Sequence, residues 1–573
     1  MKTKYIFTFA ILVTLFLASW GTLHQTASRA APSDLPVFPG AEGFGTTTPA
    51  GSGRHLSPAY TRVYKVTNLD ARGSGTLREC VEASGPRVCV FEVSGTIEIN
   101  DRLDIDSPYI TIAGQTAPSP GITLKGTTLA IRTHDVLVQH LRVRVGDRGG
   151  TYPDDRDGIG MAGSGDRDVY NVVIDHCSVS WAIDGNIDFW GENVNDVTVS
   201  NSIISEALQD SLHSDGTHST GMLIGRHAKR IAVHHSLFAH NNHRNPAIQT
   251  DTETELVNNL FYNWGPWGHT TFSDGDGSEP LFSNIIGNYY LPGINTQDYK
   301  PIEISDGLDT SSEIYVKGNI GPWRWTDSGD EWIMVYGDED LYRSFSPAVE
   351  RSVLTVHPTE EAFEYVLSHA GARPTDRDEV DMRVVDDVRN ETGWIIDSQD
   401  DVDGWPDLDE NYRALYLPAN PNGDDDGDGY TNLEEWLHAC SCPIEGQGFT
   451  LHVDPSAQAI YPGGTAQYHI EVQPFGGFSD VVTLTVNNPW SNLDVSLTSA
   501  VLEPSEQVTV TVVDETYGST QLLPGRWYDI SILGSNRNIS GTLDFSTITD
   551  TLDVGLLVGG TRFFVPMLLK ENP

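Results

Sequence analysis

The feature that most constrains this chain is a pattern that recurs along its first two thirds. A short β-branched run is followed by a polar residue, often Asn or His, and then by a second apolar pair. The runs lie at residues 109–112, 136–138, 172–174, 197–199, 231–233, 255–257, 280–282 and 314–316. Second pairs occur in Asn201-Ser-Ile-Ile204, His235-Ser-Leu-Phe238, Asn258-Asn-Leu-Phe261 and Asn284-Ile-Ile286. The interval is roughly 24 to 36 residues, in the range of repeat architectures. Each unit carries an apolar face that it cannot bury alone, and stacking the units makes one continuous core. Asn at the turns tolerates left-handed backbone angles and can hydrogen-bond to its stacked neighbour. A β-sandwich would place turn signals every 8 to 12 residues or so. The wider spacing therefore predicts an all-β fold, a right-handed parallel β-helix.

At 573 residues the chain exceeds one ordinary core, so two or three domains are expected. Asp plus Glu number 80 against 35 Lys plus Arg. That balance excludes a general nucleic-acid binder, which needs a basic footprint. Residues 1–30 read as a secretory signal: Lys2 and Lys4, an apolar run from Ile6 to Trp20, then small residues around Ala30. No later stretch is long and apolar enough to span a bilayer, so an exported, extracellular monomer is expected. Five cysteines accompany it. Cys80 and Cys89 can close a small loop, Cys440 and Cys442 are near each other, and Cys177 stands alone.

The composition changes near Ile395. Residues 397–409 are acidic and turn-rich and 418–423 read as a linker; the β-helix is assigned to residues 31–405, and residues 406–445 form an acidic linker. Within it, Asp424, Asp426 and Asp428 stand at positions 1, 3 and 5 of a twelve-residue loop, with Gly429 at 6 and Glu435 at 12. This pattern predicts a single Ca²⁺ loop with residues 434–440 as its exit helix; the alternative is a disordered acidic linker. Residues 446–549 alternate between Pro and Gly turns and suit an immunoglobulin-like β-sandwich. Residues 550–573 form an apolar tail.

Residues 155–259 carry the chemistry. Asp155 and Asp157 make one spaced pair, Asp184 and Asp188 another. Oxygen-only clusters suit a hard cation such as Ca²⁺ rather than zinc. Beside them His243-Arg244-Asn245-Pro246 holds one isolated arginine. A cation next to an arginine points to an anionic substrate, and the net negative charge then requires a local reversal of sign. Arg132, Arg142, Arg144, Arg148 and Arg156 can supply it as a cluster or be solvated surface. Eleven of the 18 histidines fall between His134 and His269. A zinc set from His234, His235, His240 and His243 lacks a recognised ligand spacing, so stacked turn histidines are the preferred reading. Asp175 and His176 are adjacent on a strand, so they are expected to face opposite sides and to act in the ladder.

These residues resemble the pectate lyase superfamily, specifically the parallel β-helix lyases of polysaccharide lyase family 1. The resemblance covers roughly residues 37–405. It rests on Phe38-Pro-Gly-Ala-Glu-Gly-Phe-Gly45, Gly73-Ser-Gly-Thr-Leu-Arg-Glu79, Ile174-Asp-His-Cys-Ser-Val-Ser-Trp181, Gly221-Met-Leu-Ile-Gly225, Asn242-His-Arg-Asn-Pro246 and Val257-Asn-Asn-Leu-Phe-Tyr-Asn263. It implies Ca²⁺ ligands at Asp155, Asp157, Asp184 (usually Glu in the family) and Asp188, and a catalytic arginine at Arg244. The family's substrate lysine has no counterpart, and His213 or His218 is the expected replacement. Its second arginine falls near Gln249 and Thr250. The implied activity is Ca²⁺-dependent β-elimination of pectate, or polygalacturonate, an acidic plant cell-wall polysaccharide, to unsaturated oligogalacturonides. The loop at residues 424–435 resembles dockerin or thrombospondin type 3 loops. The rivals are a polygalacturonase-type hydrolase, a lyase acting on another uronate polymer, and a noncatalytic carbohydrate-binding protein on the same scaffold.

Overall fold

A computed structural model describes residues 35–558 apart from 151, 166, 266–269, 274–278, 298–299, 306, 439–447, 456, 476–480, 489, 504–505, 516–525 and 536–548. The signal segment, Cys440, Cys442 and the apolar tail beyond Val558 lie outside the described residues.

The chain winds into a parallel β-helix with three sheets of ten, nine and eight strands among the described residues. Each coil contributes one strand to the ten-strand sheet, turns tightly into the eight-strand sheet, and then crosses to the nine-strand sheet. The register explains the stacking. Ile112, Val138, Ile174, Val199, Val233, Leu256, Ile285 and Val316 pair in succession and point inward as one aliphatic column. Phe238, Phe261 and Tyr290 form a parallel aromatic column, with ring centroids 4.9 and 4.7 Å apart. β-branched residues suit these pleated, buried positions.

The tight turn works differently from the expectation in one respect. The residue with positive φ is His140, His176, Asn201, His235 or Asn258. The ladder is carried by the next residue. Ser202 Oγ accepts from Cys177 N, Ser236 Oγ from Ser202 N, Asn259 Oδ1 from Ser236 N, Asn288 Oδ1 from Asn259 N, and Asn319 Oδ1 from Asn288 N. One predicted pair also shifts. Asn284-Ile-Ile286 completes the strand Phe282–Ile286, of which the run at 280–282 caught only the start, and the second strand of that coil is Tyr289–Leu291.

The helix Leu77–Val81 caps the N-terminal end of the core, and Cys80 is disulfide-bonded to Cys89. Two helices that strand periodicity does not announce, Thr359–His369 and Glu379–Asn390, lie against the outer face of the eight-strand sheet. Phe363, Val366, Val384 and Val388 bury Leu237, Leu260 and Tyr289 there. Val37 and Ala50 cover Leu137 and Val173 on the ten-strand sheet. The segment read as a linker also packs back. Leu415, Leu433 and Leu437 bury Val88, Val90 and Ala113, Asn422 Oδ1 accepts from Thr61 N at 2.8 Å, and Glu434 is ion-paired with Arg54. The exit helix runs Asn432–His438.

The C-terminal region forms two sheets, of four and five strands among the described residues, almost entirely antiparallel. Tyr468, Ile470, Val508 and Val510 of one face Leu484, Ile530, Ile532 and Leu556 of the other in a single core. The last strand among the described residues is Thr549–Val558, so the sandwich runs past the expected boundary at 549 into the segment read as tail.

Candidate active site

The nine-strand sheet carries an open groove of about 660 Å³, lined by Asp155, Asp157, Asp184, Asp188, Arg244 and neighbouring residues. Asp157 follows the short 3₁₀ turn Pro153–Asp155, which begins with proline. Asp184 immediately precedes the strand Gly185–Gly191, and Asp188 stands within it, in register with Gly160 and Leu223 of the flanking strands. Two glycines leave the space for these carboxylates. A Cβ at Gly185 would overlap the Asp188 carboxylate, and one at Gly160 would lie 3.0 Å from Asp157 Oδ2. Backbone donors aim the acids: Leu223 N–H donates to Asp188 at 3.1 Å and Gly185 N–H to Asp157 at 3.3 Å.

Carboxylate oxygens of Asp157, Asp184 and Asp188 lie within 4.8 Å of one another. Asp155 lines the same groove but is not a member of this group. The electrostatics are unbalanced. Burial pushes Asp188 up to about 7, with Arg244 opposing and Asp184 adding to the shift. Burial, then Asp188 and Asp184, hold Asp157 well above the usual carboxylate range. The trio therefore favours either a bound proton or a cation. Oxygen donors of this kind fit a hard divalent cation.

Arg244 enters the groove from the turn before the strand Ala247–Ile248. Its φ is 55°, uncommon for a residue with a side chain, and its carbonyl accepts Met222 N–H at 2.8 Å, which ties it to the adjacent strand. Among the described residues no hydrogen bond or ion pair occupies its guanidinium.

His213 and His218 form a stacked pair over Asp184. Their rings are 3.7 Å apart at 11°, His218 Nε2 lies 3.0 Å from Asp184 Oδ1, and His213 Nε2 lies 3.8 Å from the same oxygen. Ser214 N–H donates to Asp154 at 2.8 Å and fastens their loop to the 3₁₀ turn.

Of the two readings of the five arginines, the structure does not bring them together as one cluster. Arg142 and Arg144 are fully buried beneath the helix Glu379–Asn390, where Asp378 and Asp381 meet both. Arg148 pairs with Asp400, and Arg156 is buried. Arg132 does line the groove, 3.5 Å from Asp104 and Asp106. Asp175 and His176 do not face opposite sides. His176 has φ 49°, which swings its ring back until Nδ1 lies 2.8 Å from Asp175 Oδ2. The pair lies at the tight turn, where Asp175 also accepts from Gln139, Ser200 and Asn201. His234, His235, His240 and His243 form no ligand group among the described residues.

Other residues complete the groove, and sequence reasoning missed Trp190, Arg102 and Arg167 among them. Trp190 is 63% exposed there, Arg102 and Arg167 also line it, and Gln249, named where the family's second arginine falls, lines it too. Strand alternation exposes the signal for Trp190: Ile187 and Phe189 point inward, so Asp188 and Trp190 point out.

At the second candidate cation site, Asp424, Asp426 and Asp428 bring oxygens within 4.8 Å of one another. Asp424 accepts from Gly427 N–H at 2.7 Å and Asp428 from Tyr430 N–H at 2.8 Å. Partial burial and the three aspartates raise Glu435.

A scan against protein-family models finds no match. Among curated proteins, a probable pectate lyase C of Aspergillus oryzae is 32% identical over 440 residues, spanning 71% of this chain and 94% of its own length. Pectin lyase A of Emericella nidulans is 24% identical over 314 residues, 48% of this chain and 78% of its own. A solved thermostable pectate lyase aligns with 60% of this chain and 99% of its own at 13% identity, with a TM-score of 0.38. The extent of the match to the fungal enzymes, over a parallel β-helix that bears an acidic groove, establishes that this chain belongs to the pectate lyase family and is a polysaccharide lyase.

Proposed function

We propose that the protein is a secreted, Ca²⁺-dependent pectate lyase that cleaves polygalacturonate by β-elimination. The observation that carries this reading is the convergence of Asp157, Asp184 and Asp188 beside Arg244 in an open groove. The three carboxylates, with Asp155 at the rim, would hold Ca²⁺. When bound, the ion would neutralise the uronate carboxylate and favour charge developing next to it. We assign Arg244 to removal of the C5 proton and to the charge this leaves; the electron pair forms the C4=C5 double bond as C4–O breaks, and the departing O4 takes up a proton from solvent. His213 and His218 turn their Nε2 atoms to Asp184 and hold it in orientation, and we assign the stacked pair to the position of the missing lysine. Trp190 offers an apolar platform for a sugar ring. An excess of carboxylates without cation would repel the polymer, so cation and substrate bind together.

We further propose that Asp424, Asp426, Asp428 and Glu435 hold a structural Ca²⁺, which orders the helix whose Leu433 and Leu437 pack on the first coils.

The test is product analysis of polygalacturonate digests by absorbance and mass spectrometry, with Ca²⁺ and with excess chelator. Unsaturated ends that vanish with chelator and return with Ca²⁺ are expected. Saturated ends would make the protein a hydrolase, and no cleavage in Ca²⁺ would make it a binder.

A further inference from the structure

The groove is longer than the carboxylate trio needs. Its lining runs from Arg102, just before the strand Leu103–Ile105, to Gln249, just after the strand Ala247–Ile248. These are the outer two of six neighbouring strands in the nine-strand sheet, a span of about 24 Å along the axis. Asp157, Asp184, Asp188 and Arg244 belong to the coils from the third of these strands onward. The arm toward Arg102 holds no member of the trio, yet it is open and lined by side chains of its own.

Register fixes a row of side chains there. Ile105, Ile131, Met161 and Phe189 pair in succession and point into the core. The residues that follow the last three, Arg132, Ala162 and Trp190, therefore point outward on three neighbouring coils. Arg132 N–H donates to the Ile105 carbonyl at 3.0 Å, which carries the ladder through Arg132. Ala162 and Trp190 are paired, and both are exposed. Arg132 thus stands two rungs, about 10 Å, from Trp190, with only a methyl side chain on the rung between.

The charges of this arm do not face the groove equally. Arg102, Arg132 and Arg167 line it, whereas Asp104 and Asp106, the acids beside the first two, do not. Asp104 is shared, 2.6 Å from Arg102 and 3.5 Å from Arg132. Arg132 has a side chain 16% exposed, and among the described residues its guanidinium makes no hydrogen bond. Arg167 lies in the turn after the strand Ile159–Gly163; it is exposed, and no hydrogen bond or ion pair engages its guanidinium among the described residues. The groove acids Asp155, Asp157, Asp184 and Asp215 precede their strands, while Arg132 and Arg167 follow theirs, so the two signs lie toward opposite margins. A guanidinium fork matches a carboxylate and needs no cation to bridge to it. On a chain with so large an excess of acids, this arm is where the sign reverses without a metal.

We propose that Arg132, supported by Arg102 and Arg167, forms a second carboxylate subsite, which takes a free uronate carboxylate directly, beyond the sugar unit on Trp190. The proposal rests on the polygalacturonate reading of the groove and adds a requirement to it: one free carboxylate at the aspartate trio and another at Arg132. A methyl ester at the second position carries no charge to pair with the guanidinium. The enzyme therefore selects blocks of unesterified uronate over the same number of free carboxylates scattered along the chain.

Steady-state kinetics on the full chain at saturating Ca²⁺ and low salt test this, with polygalacturonate and two pectins of equal methyl-ester content, one blockwise and one random. Arg132→Gln should raise KM for polygalacturonate at least about fivefold and leave kcat within about twofold, because the lost contact serves ground and transition states alike. The rise should shrink at about 0.5 M salt, as a charge contact does. The wild-type preference for blockwise pectin should fall in the variant. Arg167→Gln, in an exposed turn, should raise KM by less and decides the test if Arg132→Gln misfolds. Unchanged KM in every folded variant, a rise that persists undiminished at high salt, or no wild-type preference for blockwise pectin would overturn the subsite. The lyase reading fails separately, when the wild type releases no unsaturated ends. In that event calorimetry with hexagalacturonate and Ca²⁺ decides: weaker binding in Arg132→Gln than in wild type supports the subsite, and equal binding overturns it.

Discussion

Two groups of arginine and aspartate can be set side by side in this molecule. Beneath the helix Glu379–Asn390, Arg142 and Arg144 meet Asp378 and Asp381, two charges against two, fully enclosed. On the nine-strand face, Asp157, Asp184 and Asp188 gather beside Arg244, with His218 on Asp184. In the first group burial works to raise Asp378, but Arg144 and Arg142 outweigh it and keep the carboxyl well below its ordinary range. In the second, burial wins and Asp188 rises to about 7. The residue types match, and the stoichiometry and the open side differ. The balanced set fastens a helix to a sheet. The unbalanced set is left with negative charge that only a proton or a cation relieves, which is how a site differs from a clamp.

The contrast is broken most directly at Arg244. Arg244→Lys keeps the charge but moves and reshapes it, so turnover on polygalacturonate should fall by about 10²–10³-fold, with the circular dichroism spectrum unchanged. Near-normal turnover would return Arg244 to the structural class. Arg144→Met should do the reverse. It leaves Asp378 and Asp381 enclosed with too little positive charge, and urea unfolding should show a loss of roughly 3–5 kcal/mol. Turnover per folded molecule should stay near wild type; a large drop would mean the clamp shapes the groove.

The pH dependence sharpens the comparison. Asp188 has a folded value near 7 against an ordinary 3.8, so in chelator the folded state keeps a proton that the unfolded chain has released. Its contribution is present at low pH and is lost as pH rises from about 4 to about 7. Asp378 is depressed, so its contribution is present above about 4 and is lost as pH falls below that. Urea midpoints in chelator at about pH 5 and about pH 7.5 read the first term, and Asp188→Asn should flatten that slope. An unchanged slope in the variant means the trio does not share a proton. The smallest effect is expected at the distant loop. Protease cutting within residues 418–438 should slow when Ca²⁺ is present, with activity little altered, and identical digestion with and without the ion would leave Asp424, Asp426 and Asp428 as a plain acidic turn.

Much of the fold was legible because a β-helix is local in an unusual sense. Each coil repeats the same inward column, so Val138, Ile174, Val199 and Val233 announce themselves by spacing alone. The ladder misassignment at Asn284 arose because that residue begins an apolar pair as Asn258 does, yet it lies inside a strand, where it bonds Glu255 and the backbone at Val349. Asp157, Asp184, Asp188 and Arg244 could be named from their motifs. Asp155 could be named too, but not its exclusion from the trio. Trp190 was there in the alternation and was passed over.

The sequence by itself determined the coil, the inward columns, the positive-φ turn residues and the acids of the groove, since these follow from side-chain period and turn chemistry within a few dozen residues. Tertiary structure alone decided which charges would be balanced. Arg142 and Arg144 meet acids more than two hundred positions away, and Arg54 meets Glu434 across almost the whole β-helix region. Charge pairing depends on distance in space and on burial, and a linear pattern records neither for residues brought together by the return of the chain.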